Sequence, residues 1–321
     1  MTRRSARTLG ESAAIRLLGS RLAGAGGAVR LGIGDDAALV APEPGVLVWT
    51  VDACLEGAHF ERGLLGLGDI AKKALNAAVS DLAAMGAHPL GALSALELPP
   101  RFSKKELDEF ARGQARAARE LGCPVVGGNI ARGKRLGVTT TVLGVATRPL
   151  RRDGARPGNE VWLVGSVGLA ASGLALLRAR RQRNGRGVRR AVLAWQRPRA
   201  LVREGLALAR RATAAIDVSD GLGGDARHLA DASGVRLVIE ERALTRALPP
   251  ELALVAKALG RSPLALALEG GEDYALVATG RRSRKPSFAR RIGRVEAGRG
   301  AVLERVDGTR VPLARGFDHL A

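Results

Sequence analysis

Asp35 and Asp36 stand side by side in GIGDDAALV, Gly32 to Val40, a glycine-bounded stretch that forces two carboxylates into one turn. Carboxylates about 4 Å apart repel by roughly 1 kcal/mol in water and about 4 kcal/mol at an effective dielectric of 20. Such a pair calls for a positive partner, which arginine or Mg²⁺ could supply. The pattern returns in Thr50-Val51-Asp52, in Val79-Ser80-Asp81 and in Ile216-Asp217-Val218-Ser219-Asp220-Gly221, each expected at a strand or helix edge. Asp217 and Asp220 are close enough to share or bridge cations. Four acidic turns invite one metal-phosphate site, because hard oxygen ligands suit Mg²⁺ and Mg²⁺ in turn binds phosphate.

Two other routes to a nucleotide are closed. Gly32, Gly34 and Ala37 spell G-x-G-x-x-A, as do Gly66, Gly68 and Ala71. A dinucleotide fingerprint needs neutral backbone amides facing pyrophosphate, however, and Asp35 and Asp36 would repel it. No G-x-x-x-x-G-K-[ST] occurs. A carboxylate meets a phosphate only through a metal.

The elements that must position these residues are legible from periodicity. Glu11 to Leu22 reads as an amphipathic helix capped by Ser12. Val29 to Ile33 and Val46 to Val51 read as strands running into acidic turns, the second apolar throughout and so expected to be buried on both faces. Asp69 to Met85 is the clearest helix, with Asp69 as cap, Gly86 at the stop, and Asp81 near the end where the macrodipole disfavours an anion unless a cation is near. A strand over Ala92 to Leu98 and a helix from about Ser103 to Leu121 follow. Gly127, Gly128 and Asn129 are expected at the end of a short buried strand, where the two glycines either make a tight turn or let backbone approach a phosphate, and Val138 to Thr147 as a further strand. After the Gly/Pro loop Arg151 to Asn159 come a strand over Glu160 to Val164, a glycine turn and a helix. Ala214 to Asp225 gives strand, acidic turn and then a helix over Ala226 to Ser233. A Gly-Gly turn carries Glu272 and Asp273 into a last strand. The domain boundary is expected at 147 to 152.

Composition bounds the classes. At 321 residues the chain exceeds what one core usually supports, so two domains are expected. The net charge of +20 comes from 44 Arg and seven Lys, a compositional habit more than a single patch. With aromatics at 3%, stacking platforms for single-stranded nucleic acid are not expected. The block Arg178 to Arg190 reads as a solvated, glycine-interrupted insertion. Cys54 and Cys123 lack the number and spacing of a disulfide framework or zinc site, which fits a reducing cytoplasm. No run approaches a membrane span.

GIGDDAAL, TVDxxxEGAHF, AVSDLAAMGAHPLGA, GGNxARG, RRDGARPGN, AAIDVSDGL and GGEDYAL occur in this order. The series resembles the thiamine-monophosphate kinases, of the aminoimidazole ribonucleotide synthetase-like ATP-binding superfamily, and covers nearly the whole chain. The resemblance implies an α/β (α+β) two-domain fold. Residues 1–149 would form an N-terminal ATP- and Mg-binding domain that pairs in a homodimer, and residues 150–321 a C-terminal domain completing the active-site cleft. It implies transfer of the γ-phosphate of ATP to thiamine monophosphate. The acceptor phosphate is already largely ionised at neutral pH, so no general base is required and none is evident; alignment and charge cancellation do the work.

Carried over by position, Asp36, Asp52, Asp81, Asp217 and Asp220 would be Mg²⁺ ligands, with Thr50 helping through its hydroxyl. Gly128, Arg152 and Ser219 would contact ATP. His59, Glu272 and Phe317 would line the acceptor pocket, Glu272 offering a carboxylate and Phe317 a ring face to a cationic substrate. Beside these roles stand blander ones that carry less weight: His59 as a structural histidine, Arg152 as a surface residue and Phe317 as core. Where the family often has Gly-Gly-Asp, this chain has Gly127-Gly128-Asn129, and an amide oxygen brings no charge to the metal. Asn129 is therefore a weaker ligand, adjoining ATP. Other superfamily members fit less well: the reactive Cys of a selenophosphate synthetase and the C-terminal Cys of the hydrogenase maturation dehydratase are missing. The contexts of His59 and of Gly271 to Tyr274 point away from aminoimidazole ribonucleotide synthetase itself. A nucleic-acid-binding protein would explain the charge but not the Asp residues gathered at glycine turns.

Overall fold

The structure is a computed structural model that describes residues 11–22, 28–33, 37–41, 44–180 and 185–313. The chain divides into two compact units, residues 1–82 with 88–147, and residues 83–87 with 148–321.

The first unit runs α1 (Glu11–Leu22), β1 (Val29–Leu31), β2 (Leu39–Val40), β3 (Val46–Leu55), α2 (Leu67–Ala84), β4 (His88–Leu98), α3 (Lys104–Leu121), β5 (Val125–Arg132) and β6 (Gly137–Ala146). Its main sheet has the order β3-β6-β4-β5, with β4 and β5 parallel and the other pairs antiparallel. Apolar residues of α2 and α3 form the core of this unit; Ile70, Leu75, Val79, Leu82, Leu107 and Phe110 are almost fully buried. Ser103 caps α3 in a reciprocal box with Glu106.

Several local expectations are corrected. Ser12 falls inside α1, not before it. Helix α2 begins at Leu67, where the Gly66 carbonyl accepts the N–H groups of Asp69 and Ile70. Asp69 therefore sits in the first turn, favourable for an anion, but is not the cap. Strand β3 continues to Leu55, so Asp52 lies in its interior and no turn follows it directly. Nor is β3 buried on both faces: Trp49 is 71% exposed, with Leu47, Val51 and Leu55 also exposed on the same side. Alternation puts Val48, Thr50, Asp52 and Cys54 on the other side. An apolar run marks a sheet face that needs cover, and among the described residues of this unit these four stay exposed.

The second unit runs β7 (Glu160–Val164), α4 (Leu169–Arg178), α5 (Arg186–Gln196), α6 (Val202–Ala209), β8 (Ala214–Val218), α7 (Leu222–Ser233), β9 (Arg236–Glu240), α8 (Glu241–Ala247), α9 (Pro250–Leu259), α10 (Pro263–Glu269), β10 (Ala275–Gly280), β11 (Arg290–Glu296), β12 (Gly300–Glu304) and β13 (Arg310–Pro312). Its sheet has the order β13-β12-β9-β11-β7-β10-β8. One face buries Val161, Leu163, Ile216, Val277 and Ile292 with residues of α4, α7 and α9. The other buries Trp162, Leu208, Ala215 and Leu276, together with Ala83 and Ala84. Two expectations change here. Helix α7 starts four residues before Ala226, directly after the acidic turn. The basic block is not all insertion: from Arg186 it is helix α5, whose buried Ala191 and Trp195 are one turn apart.

Candidate functional site

In the first unit the structure brings Thr50 and Asp81 together. Thr50 lies on the inner side of β3, and its Oγ1 donates to Asp81 Oδ2 on α2 at 2.5 Å. A donating hydroxyl keeps lone pairs for a cation. Asp52, two residues on, shares that side of the strand and is half-buried. Lys73, Asn76 and Ser80, spaced three and four apart on α2, are all buried, Lys73 at 1% exposure. A polar stripe inside an otherwise apolar helix core is costly unless satisfied, and its spacing in the sequence was the signal that could have revealed it.

Gly127, Gly128 and Asn129 lie inside β5, not in a turn at its end. Gly128 has φ 154° and faces Ser94 on the parallel β4. A Cβ there would stand 1.9 Å from the Ser94 carbonyl oxygen, so only glycine permits this approach of the two strands. Asn129, opposite Ala95, is exposed. His59 sits in the turn after β3, and its Nδ1 accepts the Leu55 N–H at 3.1 Å. That bond fixes the neutral tautomer with the proton on Nε2 and gives His59 a structural role, whatever else it touches.

In the second unit Asp217 is the penultimate residue of a fully buried strand and is itself 5% exposed. Ser219 and Asp220 follow in the turn, and the first turn of α7 supplies Asp225, a residue that the sequence reading passed over. Asp225 Oδ2 accepts the backbone N–H groups of both Ser219 and Asp220 at 3.1 Å. Burial, and then the charge of Asp217, push the Asp225 carboxyl up to about 7 against the pull of those hydrogen bonds. Three carboxylates thus gather at one turn, where Asp217 and Asp220 make ionisation of Asp225 more costly, the electrostatic situation that a cation relieves. Among the described residues, no three or more His, Cys, Asp or Glu side chains are arranged as a ready-made metal cage. Mg²⁺ does not require one, since it usually keeps several waters and takes one or two carboxylates beside substrate phosphates.

The Gly270 to Tyr274 loop closes over this turn. Ser219 and Val218 carbonyls accept the N–H groups of Glu272 and Tyr274 at 2.7 and 2.8 Å. A Cβ on Gly271 would meet the Ser219 oxygen at 2.4 Å. Glu272 and Tyr274 adopt φ values of 63° and 49°, sparsely populated for side-chain-bearing residues. The Asp273 carboxylate accepts the N–H groups of Gly168 and Ala170 at the start of α4, at 2.6 and 3.0 Å, while burial pushes its carboxyl up to about 7. The Glu272 carboxylate accepts the indole N–H of Trp195 at 2.6 Å. Ser219, Asp217, Asp220 and Glu272 are therefore one constellation. Arg152 is not part of it: exposed in a short 3-10 turn, its carbonyl accepts the hydroxyl of Ser233, at the far end of α7. Asp36 and Phe317 lie outside the described residues.

Residues 34–146 match the AIR synthase related protein N-terminal domain, and residues 156–305 the corresponding C-terminal domain. Fold and acidic turns thus define a two-domain protein of the AIR synthase related class. The chain is 36% identical over 289 residues to the thiamine-monophosphate kinase of Aquifex aeolicus, covering 89% of this chain and 92% of that one. It superposes on AaThiL complexed with AMPPCP and TMP with a TM-score of 0.80 at 34% identity, covering 99% of each chain. The thiamine-monophosphate kinase of Stenotrophomonas maltophilia gives a TM-score of 0.82 at 32% identity, over 94% and 98% of the two chains. The chain belongs to the thiamine-monophosphate kinase family.

Proposed function

We propose that this protein transfers the γ-phosphate of ATP to thiamine monophosphate, forming thiamine diphosphate, and that it does so with Mg²⁺. The observation that carries the reading is the Asp217–Ser219–Asp220 turn, with Asp217 buried and the Asp225 carboxylate held against the turn's backbone, on a family scaffold whose relative AaThiL is described with AMPPCP and TMP. The donor chemistry fits Mg²⁺, because carboxylate, hydroxyl and amide oxygens make up the whole set. In the first unit the metal-holding residues are Asp36, Thr50, Asp52, Asp81 and, more weakly, Asn129; in the second they are Asp217 and Asp220. When bound, Mg²⁺ would offset the charge of the phosphates.

The protein's own part is positioning. The acceptor phosphate arrives with a second pKa near 6, so no side chain has to take a proton. In the first unit, backbone at Gly128 and the Asn129 side chain bind ATP and His59 holds the acceptor; in the second, Ser219 binds ATP and Glu272 and Phe317 hold the acceptor. The buried-strand setting of Asp217 keeps its carboxylate from wandering, which is what in-line transfer asks of a ligand. The exposed apolar side of β3, with Leu47, Trp49, Val51 and Leu55, supports a homodimer that covers it. No helix among the described residues is long and apolar enough to cross a membrane. Cys54 and Cys123 are buried and not joined in a disulfide, as suits the cytoplasm.

The test is direct. Purified protein with ATP, Mg²⁺ and thiamine monophosphate should yield thiamine diphosphate by chromatography, and Asp217→Asn and Asp220→Asn should abolish it. Chelation with EDTA should stop the reaction and added Mg²⁺ restore it. Nucleotide binding without product would sink the acceptor; undiminished turnover in EDTA would sink the metal.

A further inference from the structure

We infer that Trp195 is a positioning residue for the acceptor, acting through Glu272. The inference rests on the reading of Glu272 as an acceptor-pocket residue. Three observations carry it. The Glu272 backbone is fixed from both sides: its N–H is bound by the Ser219 carbonyl, and the next residue, Asp273, is tied to the start of α4. Its φ of 63° is held only because those bonds over-determine the loop. With the backbone locked, the direction of the carboxylate depends on what grips the side chain, and Trp195 Nε1 donates to Oε2 at 2.6 Å.

Trp195 suits that task. It is 1% exposed, one helical turn from the buried Ala191 on the inner side of α5, so the indole cannot swing away. Indole is a donor only; it holds an ionised carboxylate and cannot itself compete for a cation. A hydrogen bond to a charged acceptor is strong and directional. Helix α5, whose first five residues belong to the block that composition alone reads as a solvated basic insertion, thereby reaches into the pocket through a side chain beyond that block.

Trp195→Phe keeps most of the ring and removes the N–H. It should raise KM for thiamine monophosphate by about tenfold and leave KM for ATP within about twofold. In a Glu272→Gln background the same change should matter by less than about twofold, since the partner charge is gone. The indole N–H resonances of the three tryptophans, assigned by substitution, give a readout independent of turnover: that of Trp195 should move in Glu272→Gln. Equal rises in both KM values, or an undiminished Trp195→Phe effect in the Glu272→Gln background, would leave Trp195 a packing residue only. An unmoved resonance would remove the hydrogen bond itself. Glu272→Gln with an unchanged acceptor KM would overturn the role of Glu272 and this inference with it, while the moved resonance would still show the bond.

Discussion

Asp225 lies beneath the backbone of Asp220: a single carboxylate oxygen accepts the Asp220 N–H and the neighbouring Ser219 N–H, each at 3.1 Å. The acidic turn is thus shaped by a carboxylate that sits below it. Asp225→Asn retains an oxygen that can accept both bonds and removes a buried charge, so its melting temperature should equal or exceed the wild type. Asp225→Leu leaves two N–H groups without their acceptor, at about 1–3 kcal/mol each. Calorimetry should show a clear drop for the leucine variant, and its phosphoryl transfer should fall by at least about tenfold. Equal stability in the two variants would mean that the turn holds its own shape.

Asn129 offers oxygen without charge, at an exposed position in β5. Asn129→Asp adds a full charge beside the proposed metal-phosphate site, which at an effective dielectric of 20 is worth a few kcal/mol at contact and less with solvent screening. The Mg²⁺ concentration giving half-maximal rate should fall by about threefold or more. An unchanged Mg²⁺ titration would place Asn129 away from any ion.

Gly128 lets β5 lie against β4, since a Cβ would collide with the Ser94 carbonyl. Gly128→Ala must push two hydrogen-bonded strands apart at about 1–3 kcal/mol or more, with loss of nucleotide affinity. Urea unfolding together with nucleotide titration would show both losses; a silent substitution would contradict the strand approach described here.

The side of β3 carrying Trp49 and Val51 is apolar and exposed among the described residues of its unit. Trp49→Arg should convert a homodimer to monomer in sedimentation while far-UV circular dichroism stays unchanged, because the residue supports no internal core. A wild type that sediments as a monomer would remove the dimer from the proposal.

On the second unit's sheet, Arg294 binds Glu304, Glu240 and Glu296 together, with Arg291 and Arg310 completing the network. Hydrogen bonding to Arg294, then to Arg310, draws the Glu304 carboxyl down to about 2 from an ordinary 4.5. A depressed carboxyl stabilises the fold above its unfolded value and loses that contribution as pH falls from about 4.5 toward 2. The stability gap between wild type and Arg294→Met should therefore be constant above about pH 5 and close through that window. At neutral pH the half-exposed setting keeps the gap to about 1–2 kcal/mol. A gap that persists at pH 2 would assign the effect to packing of the arginine stem.

Much of this protein could be read from its sequence. Periodicity located α1, α3, β7 and the buried β8 because local spacing of apolar residues decides those elements, and the Ile216 to Gly221 pattern marked a strand end at which carboxylates do gather. The ends of elements were less legible: Asp69 and Asp52 moved into a helix and a strand, since hydrogen bonding by neighbours outvotes a local cap or turn signal. What only tertiary structure decided is which distant residues meet. Thr50 finds Asp81 across 31 positions and Trp195 finds Glu272 across 77, distances at which no sequence pattern operates. An exposed Trp49 and a buried Asp225 are opposite cases of one rule: composition says what a side chain can do, and packing alone says what surrounds it when it does it.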